Sequence, residues 1–265
     1  MPLAAFLTDY GPASEHVGAL HAVLAREAPG VDRIDLAHDL PAGDVRFGAL
    51  VLERTARLAP GAVVVAVVDP GVGTPRRGVA IGTTEGGALI GPDNGLLALA
   101  ADSLEADRAV ALAGPGDGPA TFHGRDVFAP IAARLLMGEE LAQVGEPIEL
   151  ASLVRPDLPR PLVAEGSVMT RVAGVDRFGN IALHASGADL SAADLAPGDE
   201  LRIVLPEGEV TATLARVFGD VPVGSLLIHI DSHGMAAIAA NGASAAESLE
   251  VVPDMPVRIL RGAVD

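Results

Sequence analysis

The sequence predicts an α/β domain followed by a smaller all-β domain, and three observations support this expectation. In roughly the first 150 residues, short apolar runs alternate with segments of helical periodicity, as in domains built around a mainly parallel sheet. After a Pro-rich stretch at residues 157–162, the chain changes to short strand-like segments separated by turn residues, which is typical of a barrel or a sandwich. The length of 265 residues suits one large domain or two small ones.

The N-terminal elements follow from periodicity and from the turn residues between them. Buried strands are predicted at residues 3–8, 31–37 and 62–68, the last being a continuous run rich in β-branched residues. Helices are predicted at residues 15–27, 45–58, 95–101 and 127–137. A hairpin-like pair is predicted at residues 77–83 and 88–90.

The C-terminal elements are shorter and more regularly spaced. Strands are predicted at residues 166–175, 180–184, 200–204, 209–217, 225–230, 235–239 and 257–260. One short helix is predicted at residues 243–249. The predicted division is therefore an α/β domain at residues 1–155, a Pro-rich linker at 156–164 and an all-β domain at 165–265.

The charge balance narrows the classes of partner. Lys and Arg number 18 against 35 Asp and Glu, and the formal net charge is −17. Such a surface repels phosphate backbones and anionic headgroups, so we expect neither nucleic-acid nor membrane binding. The field favours a cationic small molecule, although acidic surfaces more often serve solubility alone.

Cysteine usage and the N-terminus bear on compartment. The absence of cysteine excludes disulfides, thiolate zinc sites and cysteine nucleophiles. The N-terminal segment lacks a basic region followed by a long apolar one, and no run approaches the ~18 apolar residues of a membrane span. These features predict a soluble cytoplasmic protein.

Two carboxylates follow buried strands, where ligands collect in α/β sheets. Asp9 follows the first strand in LTDYG, and Asp69 follows the third in VVDPGVGTPRRG. A turn or capping role for Asp9, and a surface ion pair for Asp69, are the alternatives. Arg76 is close enough in sequence to return to Asp69, and an adjacent arginine keeps a carboxylate ionised and oriented. His123, in TFHGRDVFAP, is a candidate proton carrier or a hydrogen-bonded structural residue.

Two C-terminal segments have the composition of ligand-binding turns or of ordinary hairpin turns. In VDRFGN, Phe178 could stack on a planar base, Asn180 could bind its edge, and Asp176 could accept from an amine. In DSHGMAAIAANGASAAE, Ser232, His233 and the backbone near Gly242 are further candidates. Phosphate-binding loops, HExxH zinc motifs and GxSxG elbows are absent from the sequence.

Six segments together resemble one known family. They are, in order, TDYG, VDPGVGTPRR, GPDNGLL, TFHGRDVFAP, VDRFGN and DSHGMAAIAANGASAAE. The family is the S-adenosyl-L-methionine (SAM) hydrolases, or SAM hydroxide adenosyltransferases, which are related to the fluorinase and chlorinase that use the same substrate. The resemblance runs from about Phe6 to Leu260, and VDPGVG with FHGRD at this separation is its most specific part.

The resemblance implies an α/β domain, a C-terminal β-barrel and a homotrimer with active sites between neighbouring subunits. It places a water-activating Asp–Arg–His set on Asp69, Arg76 and His123, with Arg76 favoured over the adjacent Arg77. It places the ribose-binding aspartate on Asp9. It places the contacts to adenine and methionine on Asp176, Phe178, Asn180, Ser232, His233, Met235 and Gly242.

The chain also departs from its relatives in ways that bear on the nucleophile and the pocket. The halogenating relatives lack this Asp and His and place a small hydroxyl residue where Gly124 stands, so water is the expected nucleophile. In relatives, an aromatic residue often covers the ribose of the substrate. It would align near Gly43 in this chain, which leaves the ribose side of the pocket more open. The VDRFGN turn is one residue shorter than in the halogenases, which bears on the role of Phe178.

The expected reaction is attack of water or hydroxide on the ribose C5′ of SAM, giving adenosine, methionine and a proton. The sulfonium is already an activated leaving group, so we expect neither metal nor cofactor. Three alternatives remain: a halogenase of the same fold, a non-catalytic sensor of SAM or adenosine, and a metal-dependent phosphohydrolase. The last would use Asp9, Asp69, Asp93 and His123.

Overall fold

A computed structural model of the protein describes residues 2–114 and 121–262. The chain forms two compact units, Met1–Asp157 and Leu158–Asp265. The predicted linker spans this division, and its last three residues form a strand, Leu162–Ala164.

The first unit contains seven strands and four α-helices within its described residues. The strands are β1 (Leu3–Thr8), β2 (Asp32–Ala37), β3 (Val63–Val67), β4 (Gly78–Thr83), β5 (Ala88–Pro92), β6 (Ala106–Leu112) and β7 (Gly145–Ile148). The helices are α1 (Glu15–Glu27), α2 (Val45–Ala56), α3 (Ala98–Ser103) and α4 (Ala129–Leu136). A π-helical turn, Gly124–Phe128, leads into α4, and two short 3₁₀ turns lie at Leu141–Gln143 and Leu150–Ser152.

The seven strands form one sheet in the order β2-β1-β3-β5-β4-β6-β7. The pairs β1–β2, β1–β3 and β3–β5 are parallel, as the sequence predicted for this domain. The pairs β4–β5, β4–β6 and β6–β7 are antiparallel, so the sheet as a whole is mixed rather than mainly parallel. The physical reason is the short connection between β4 and β5, because only antiparallel strands can be joined by a tight hairpin.

Helices cover both faces of this sheet and create two apolar layers. On one face, α1 and α4 bury residues such as Leu20, Leu24 and Ala132 against β1 and β3. On the other face, α2 and α3 bury residues such as Leu52 and Ala100. Every residue of β3 is buried, which explains its unbroken apolar sequence.

A glycine allows the two central strands to approach each other. A Cβ on Gly91 of β5 would lie 2.2 Å from the carbonyl oxygen of Ala66 in β3. That distance is far shorter than any tolerated contact, so the pairing of β3 with β5 requires glycine there. This pairing holds the carboxyl end of β3 in place.

The second unit is a closed β-barrel with two short helices within its described residues. Its strands are β8 (Leu162–Ala164), β9 (Ser167–Val175), β10 (Ile181–Ser186), β11 (Glu200–Leu205), β12 (Gly208–Leu214), β13 (Leu226–Ile230), β14 (Met235–Ala240) and β15 (Pro256–Arg261). Its helices are α5 (Gly187–Ala192) and α6 (Ala245–Leu249), and a 3₁₀ turn lies at Phe218–Asp220. The strand order is β10-β14-β13-β12-β11-β15-β9-β8, and pairing of β9 with β10 closes seven of the strands into a barrel.

The predicted fold class is confirmed, and the differences lie in weak or short elements. The strands β6, β7 and β8 and the helix α5 were not predicted. The strand predicted at residues 209–217 ends at Leu214, and the helix predicted at 95–101 begins only at Ala98. No helix in the described part of the chain is both long enough and apolar enough to cross a membrane.

Candidate active site

Two aspartates lie at the carboxyl ends of neighbouring parallel strands in the first unit. Asp9 directly follows β1, and its backbone N–H donates to the carbonyl of Val67, the last residue of β3. Asp69 lies two residues after Val67. The Oδ2 atom of Asp9 accepts a hydrogen bond of 2.8 Å from the backbone N–H of Gly43. The strands therefore hold both carboxylates at one edge of the sheet, as the sequence predicted.

Asp69, Arg76 and His123 form one hydrogen-bonded group. Arg76 Nε donates to Asp69 Oδ1 at 2.9 Å, and Arg76 Nη2 donates to Asp69 Oδ2. The same Nη2 donates to His123 Nδ1 at 2.9 Å. The Asp69 and Arg76 side chains are only 5% and 11% exposed. The three residues predicted to act together are thus brought into direct contact across 47 positions of sequence.

The hydrogen bond from Arg76 determines the tautomer of His123, and the charge of Arg76 helps to lower the pKa of the imidazole. A guanidinium can only donate, so Nδ1 must accept, and the neutral imidazole carries its proton on Nε2. Burial lowers the pKa of His123, and the positive charge of Arg76 lowers it further, against the opposing effects of Asp69 and Asp126. Nε2 is buried without a hydrogen-bond partner among the described residues.

The Phe128 ring packs against both Arg76 and His123. The Arg76 guanidinium lies 5.5 Å from the centroid of the Phe128 ring, and the His123 ring contacts the same ring edge-on at 6.2 Å. Phe128 is fully buried at the end of the π-helical turn. The apolar support fixes both side chains without competing for their hydrogen bonds.

A cavity of about 590 Å³ opens over these residues, which is a usual size for a small-molecule site. Its lining includes Asp9, Tyr10, Ser14, His16, Gly43, Val67, Asp69, Pro70, Val72, Thr121, Phe122, His123 and Gly124. Of these, the sequence predicted only Asp9, Asp69 and His123 as catalytic or substrate-binding residues, and those it missed include Tyr10, Ser14, His16 and Val72. One available signal for Tyr10 was its place beside Asp9 as the chain's single tyrosine.

Arg77 and Asp93 form a separate pair that does not line the cavity. Arg77 Nε donates to Asp93 Oδ2 at 2.5 Å, and the backbone N–H of Val154 donates to Asp93 Oδ1 at 2.9 Å. Arg77 also donates to the carbonyl of Ser152 at 2.6 Å. These bonds tie the β4–β5 hairpin to residues 152–154, and they separate Asp93 from the set suggested for a phosphohydrolase. Among the described residues, no cluster of three or more potential ligands could hold a metal ion.

In the second unit, Asp176 organises the turn between β9 and β10. Its Oδ1 accepts from the backbone N–H groups of Phe178 and Asn180 at 2.8 and 2.9 Å, and its Oδ2 accepts from Asn180 Nδ2 at 2.8 Å. Phe178 is 64% exposed, and the Arg177 guanidinium lies 4.7 Å from its ring centroid. The turn therefore presents an exposed aromatic ring, while the substrate roles of these residues stay a prediction.

The other C-terminal candidates divide between the two ends of β14. Gly242 follows the carboxyl end of β14. The turn that contains Gly179 packs close to this end, so closely that a Cβ on Gly179 would lie 2.1 Å from Ser244 Oγ. Ser232, His233 and Met235 lie at the opposite end, where the backbone N–H groups of the last two donate to Asp231 Oδ1. A six-residue strand spans about 20 Å, so one unit does not bring the two groups together.

Comparison with known proteins gives a family match for both units. The SAM hydroxide adenosyltransferase N-terminal domain matches residues 4–145, and the corresponding C-terminal domain matches residues 170–258. The chain belongs to the SAM hydroxide adenosyltransferase family. This result confirms the family predicted from the sequence motifs.

Individual relatives are similar to this chain over nearly its whole length. The chain is 48% identical to a protein of Salinispora arenicola named (R)-S-adenosyl-L-methionine hydrolase, over 98% of each chain. A fluorinase of Actinopolyspora mzabensis is 27% identical over 98% of this chain and 97% of its own. The fold is similar to the crystal structure of an uncharacterized conserved protein from Thermotoga maritima, with a TM-score of 0.87, 34% identity, and coverage of 97% and 100% of the two chains.

Proposed function

We propose that this family member hydrolyses SAM, in the (R) configuration at sulfur, to adenosine and L-methionine. The observation that carries the proposal is the bonded Asp69–Arg76–His123 group at a ligand-sized cavity. The name of the Salinispora relative supports both the reaction and the (R) epimer. The sulfonium sulfur bears three different carbon substituents and is pyramidal, so its two configurations are distinct substrates.

The reaction balances without a further reactant. The oxygen of water forms a bond to ribose C5′ while the C5′–S bond breaks, and the bonding electron pair goes to the methionine sulfur. One proton is released, because the sulfonium cation becomes a neutral thioether. Asp9 and Asp69 make the cavity favourable for a cation, and a water-poor cavity strengthens that attraction.

Each member of the Asp–Arg–His group has a distinct role in this proposal. Arg76 holds Asp69 and His123 in one geometry through its three donated bonds. His123 donates from Nε2–H to the attacking water. Without an acceptor this buried donor costs about 1–3 kcal/mol, and the water supplies the acceptor. Asp69 accepts the departing proton, because its oxygens keep lone pairs beyond those that Arg76 uses.

The decisive experiment incubates the purified protein with (R)-SAM and with (S)-SAM and separates the products chromatographically, with and without chloride. We expect adenosine from the (R) epimer and no 5′-chloroadenosine. Chloroadenosine would instead identify a halogenase. Stoichiometric binding without turnover would identify a sensor, and either result rejects the proposal.

A mutant series tests the residue roles separately from the substrate. Asp69→Ala and His123→Ala should lower kcat by about 10²-fold or more while adenosine still binds. Asp107→Ala, at an exposed position of β6, serves as the matched control with wild-type turnover. Wild-type kcat in both active-site variants would reject the assigned roles. Activity that persists unchanged after chelation is expected.

The oligomeric state, compartment and C-terminal contacts belong to the same proposal. We infer a cytoplasmic homotrimer in which Asp176, Phe178, Asn180, Ser232, His233, Met235 and Gly242 contact substrate. Exposed apolar side chains in the second unit, including Val223 at 84% exposure, support burial in an assembly. Sedimentation equilibrium tests the trimer, and a monomer that retains full activity would reject it.

A further inference from the structure

Tyr10 is held firmly at the wall of the cavity by other aromatic rings. It lies between Asp9 and Gly11, just beyond β1. Its ring contacts Phe122 edge-on at a centroid distance of 5.7 Å and lies 5.5 Å from the His16 ring. His16 and Phe122 also contact each other at 4.7 Å. This packing limits where the Tyr10 hydroxyl can go.

The hydroxyl lies against the backbone that carries His123. A Cβ built on Gly124, the next residue, would be only 2.4 Å from Tyr10 Oη. The backbone of Gly124 is not in the left-handed region, so its conformation does not require glycine. The space that a side chain at 124 would use is occupied by the Tyr10 hydroxyl instead.

The electrostatic surroundings keep this hydroxyl protonated. Burial raises the pKa of Tyr10, and the negative charges of Asp9 and Asp69 raise it further. A phenol can donate one hydrogen bond and accept others, so it can orient a water molecule without taking its proton. Both properties suit a group beside the site of attack.

We propose that the Tyr10 hydroxyl contacts the attacking water, and that Gly124 is a glycine because this hydroxyl needs the space. The inference rests on the proposed hydrolysis and adds a residue to it. The water uses one lone pair to form the bond to C5′ and passes one hydrogen to Asp69. Tyr10 Oη accepts a hydrogen bond from the other hydrogen, which fixes the direction of the attacking lone pair.

The first test compares steady-state kinetics of Tyr10→Phe with the wild type. Phenylalanine keeps the ring contacts and removes only the hydroxyl. We expect kcat to fall by about 10²-fold, as for a misplaced reactant, with KM for SAM changed less than about threefold. A wild-type kcat overturns the inference. So does a raised KM with unchanged kcat, because that would place the hydroxyl on the substrate instead of on the water.

The second test uses the steric relation between the two residues. Gly124→Ala places a methyl group against the hydroxyl and should lower kcat, whereas Tyr10→Phe removes that nearest atom and leaves Phe122 and Leu20 at 3.3 and 3.4 Å from the Cβ position. The double variant should therefore be about as active as Tyr10→Phe alone, rather than showing the product of both losses. Multiplicative losses overturn the matched-pair argument. Gly18→Ala is the control for a harmless added methyl, because nothing lies within 4 Å of its Cβ position.

A third measurement is independent of turnover, because the chain has one tyrosine and no tryptophan. The near-ultraviolet absorbance of tyrosinate therefore reports on Tyr10 alone. We expect it to develop only well above pH 10, the ordinary value for tyrosine. Titration at about pH 10 overturns the buried placement of the hydroxyl.

These measurements separate the inference from the proposed function. A wild-type protein that releases no adenosine defeats the hydrolase proposal, and this inference with it. If the wild-type protein releases adenosine and Tyr10→Phe has the same kcat, this inference alone is rejected. Circular dichroism melting curves of the four variants, the Gly18→Ala control included, confirm that each is folded when its kinetics are measured.

Discussion

Replacing Arg76 by methionine should destabilise the first unit far more than replacing a surface arginine. The change keeps an unbranched apolar side chain and removes the guanidinium with all three bonds that Arg76 donates to Asp69 and His123. Asp69 is then left 5% exposed with no cationic partner. Breaking a buried pair on one side costs about 3–5 kcal/mol of unfolding free energy, because the remaining charge is desolvated without compensation.

Arg134 provides the matched control in the same unit. It also makes two bonds to one carboxylate, that of Glu139, but these side chains are 44% and 29% exposed. Water screens such a pair, so Arg134→Met should cost only about 0.2–1 kcal/mol. The two variants therefore differ in burial and not in the type of pair.

Urea denaturation followed by Tyr10 fluorescence measures this difference in the first unit. A second variant, Arg76→Met with Asp69→Leu, removes both charges and should be more stable than Arg76→Met alone, because no unpaired charge remains. Two results would refute the reasoning: an Arg76→Met protein as stable as Arg134→Met, or a double variant no more stable than the single one.

Three further predictions follow from individual residues. Because burial and Arg76 lower the pKa of His123, the native state binds fewer protons than the unfolded state just below pH 6.5, and the free energy of unfolding should decrease as the pH falls through this range. The acid limb of the pH-rate profile for kcat should lie below about pH 6.5 and should move to higher pH in Arg76→Met. Gly18→Ala should stabilise α1 by about 0.5–1 kcal/mol, whereas Gly91→Ala should unfold the first unit, as thermal melts would show. Gly179→Ala should weaken adenosine binding by disturbing the turn, because φ is +82° and Ser244 blocks the Cβ; unchanged calorimetric affinity would contradict this.

The sequence determined the placement of the two carboxylates at the sheet edge. Buried apolar runs predict parallel strands, and the carboxyl ends of adjacent parallel strands necessarily meet at one edge. Asp9 and Asp69 follow such runs directly, so their proximity could be expected from local signals. The motifs that identified the family are likewise contiguous, which is why they were visible without tertiary structure.

The unpredicted strands had weak local signals. In β6, only some positions are buried, and β7 is four residues long and includes a proline. Such segments become strands because an existing neighbour offers hydrogen bonds, and tertiary context outweighs intrinsic propensity there. They extend the antiparallel part of the sheet, which begins at the β4–β5 hairpin.

Side-chain direction was decided only by the tertiary structure. Successive side chains of extended backbone point to opposite sides, so Arg76 and Arg77, though adjacent, have different partners. Arg76 reaches Asp69 and His123, whereas Arg77 pairs with Asp93. The contact of Tyr10 Oη with the space at Gly124 joins residues more than a hundred positions apart. Such contacts depend on how distant segments pack, and a sequence pattern carries only the local periods of helix and strand.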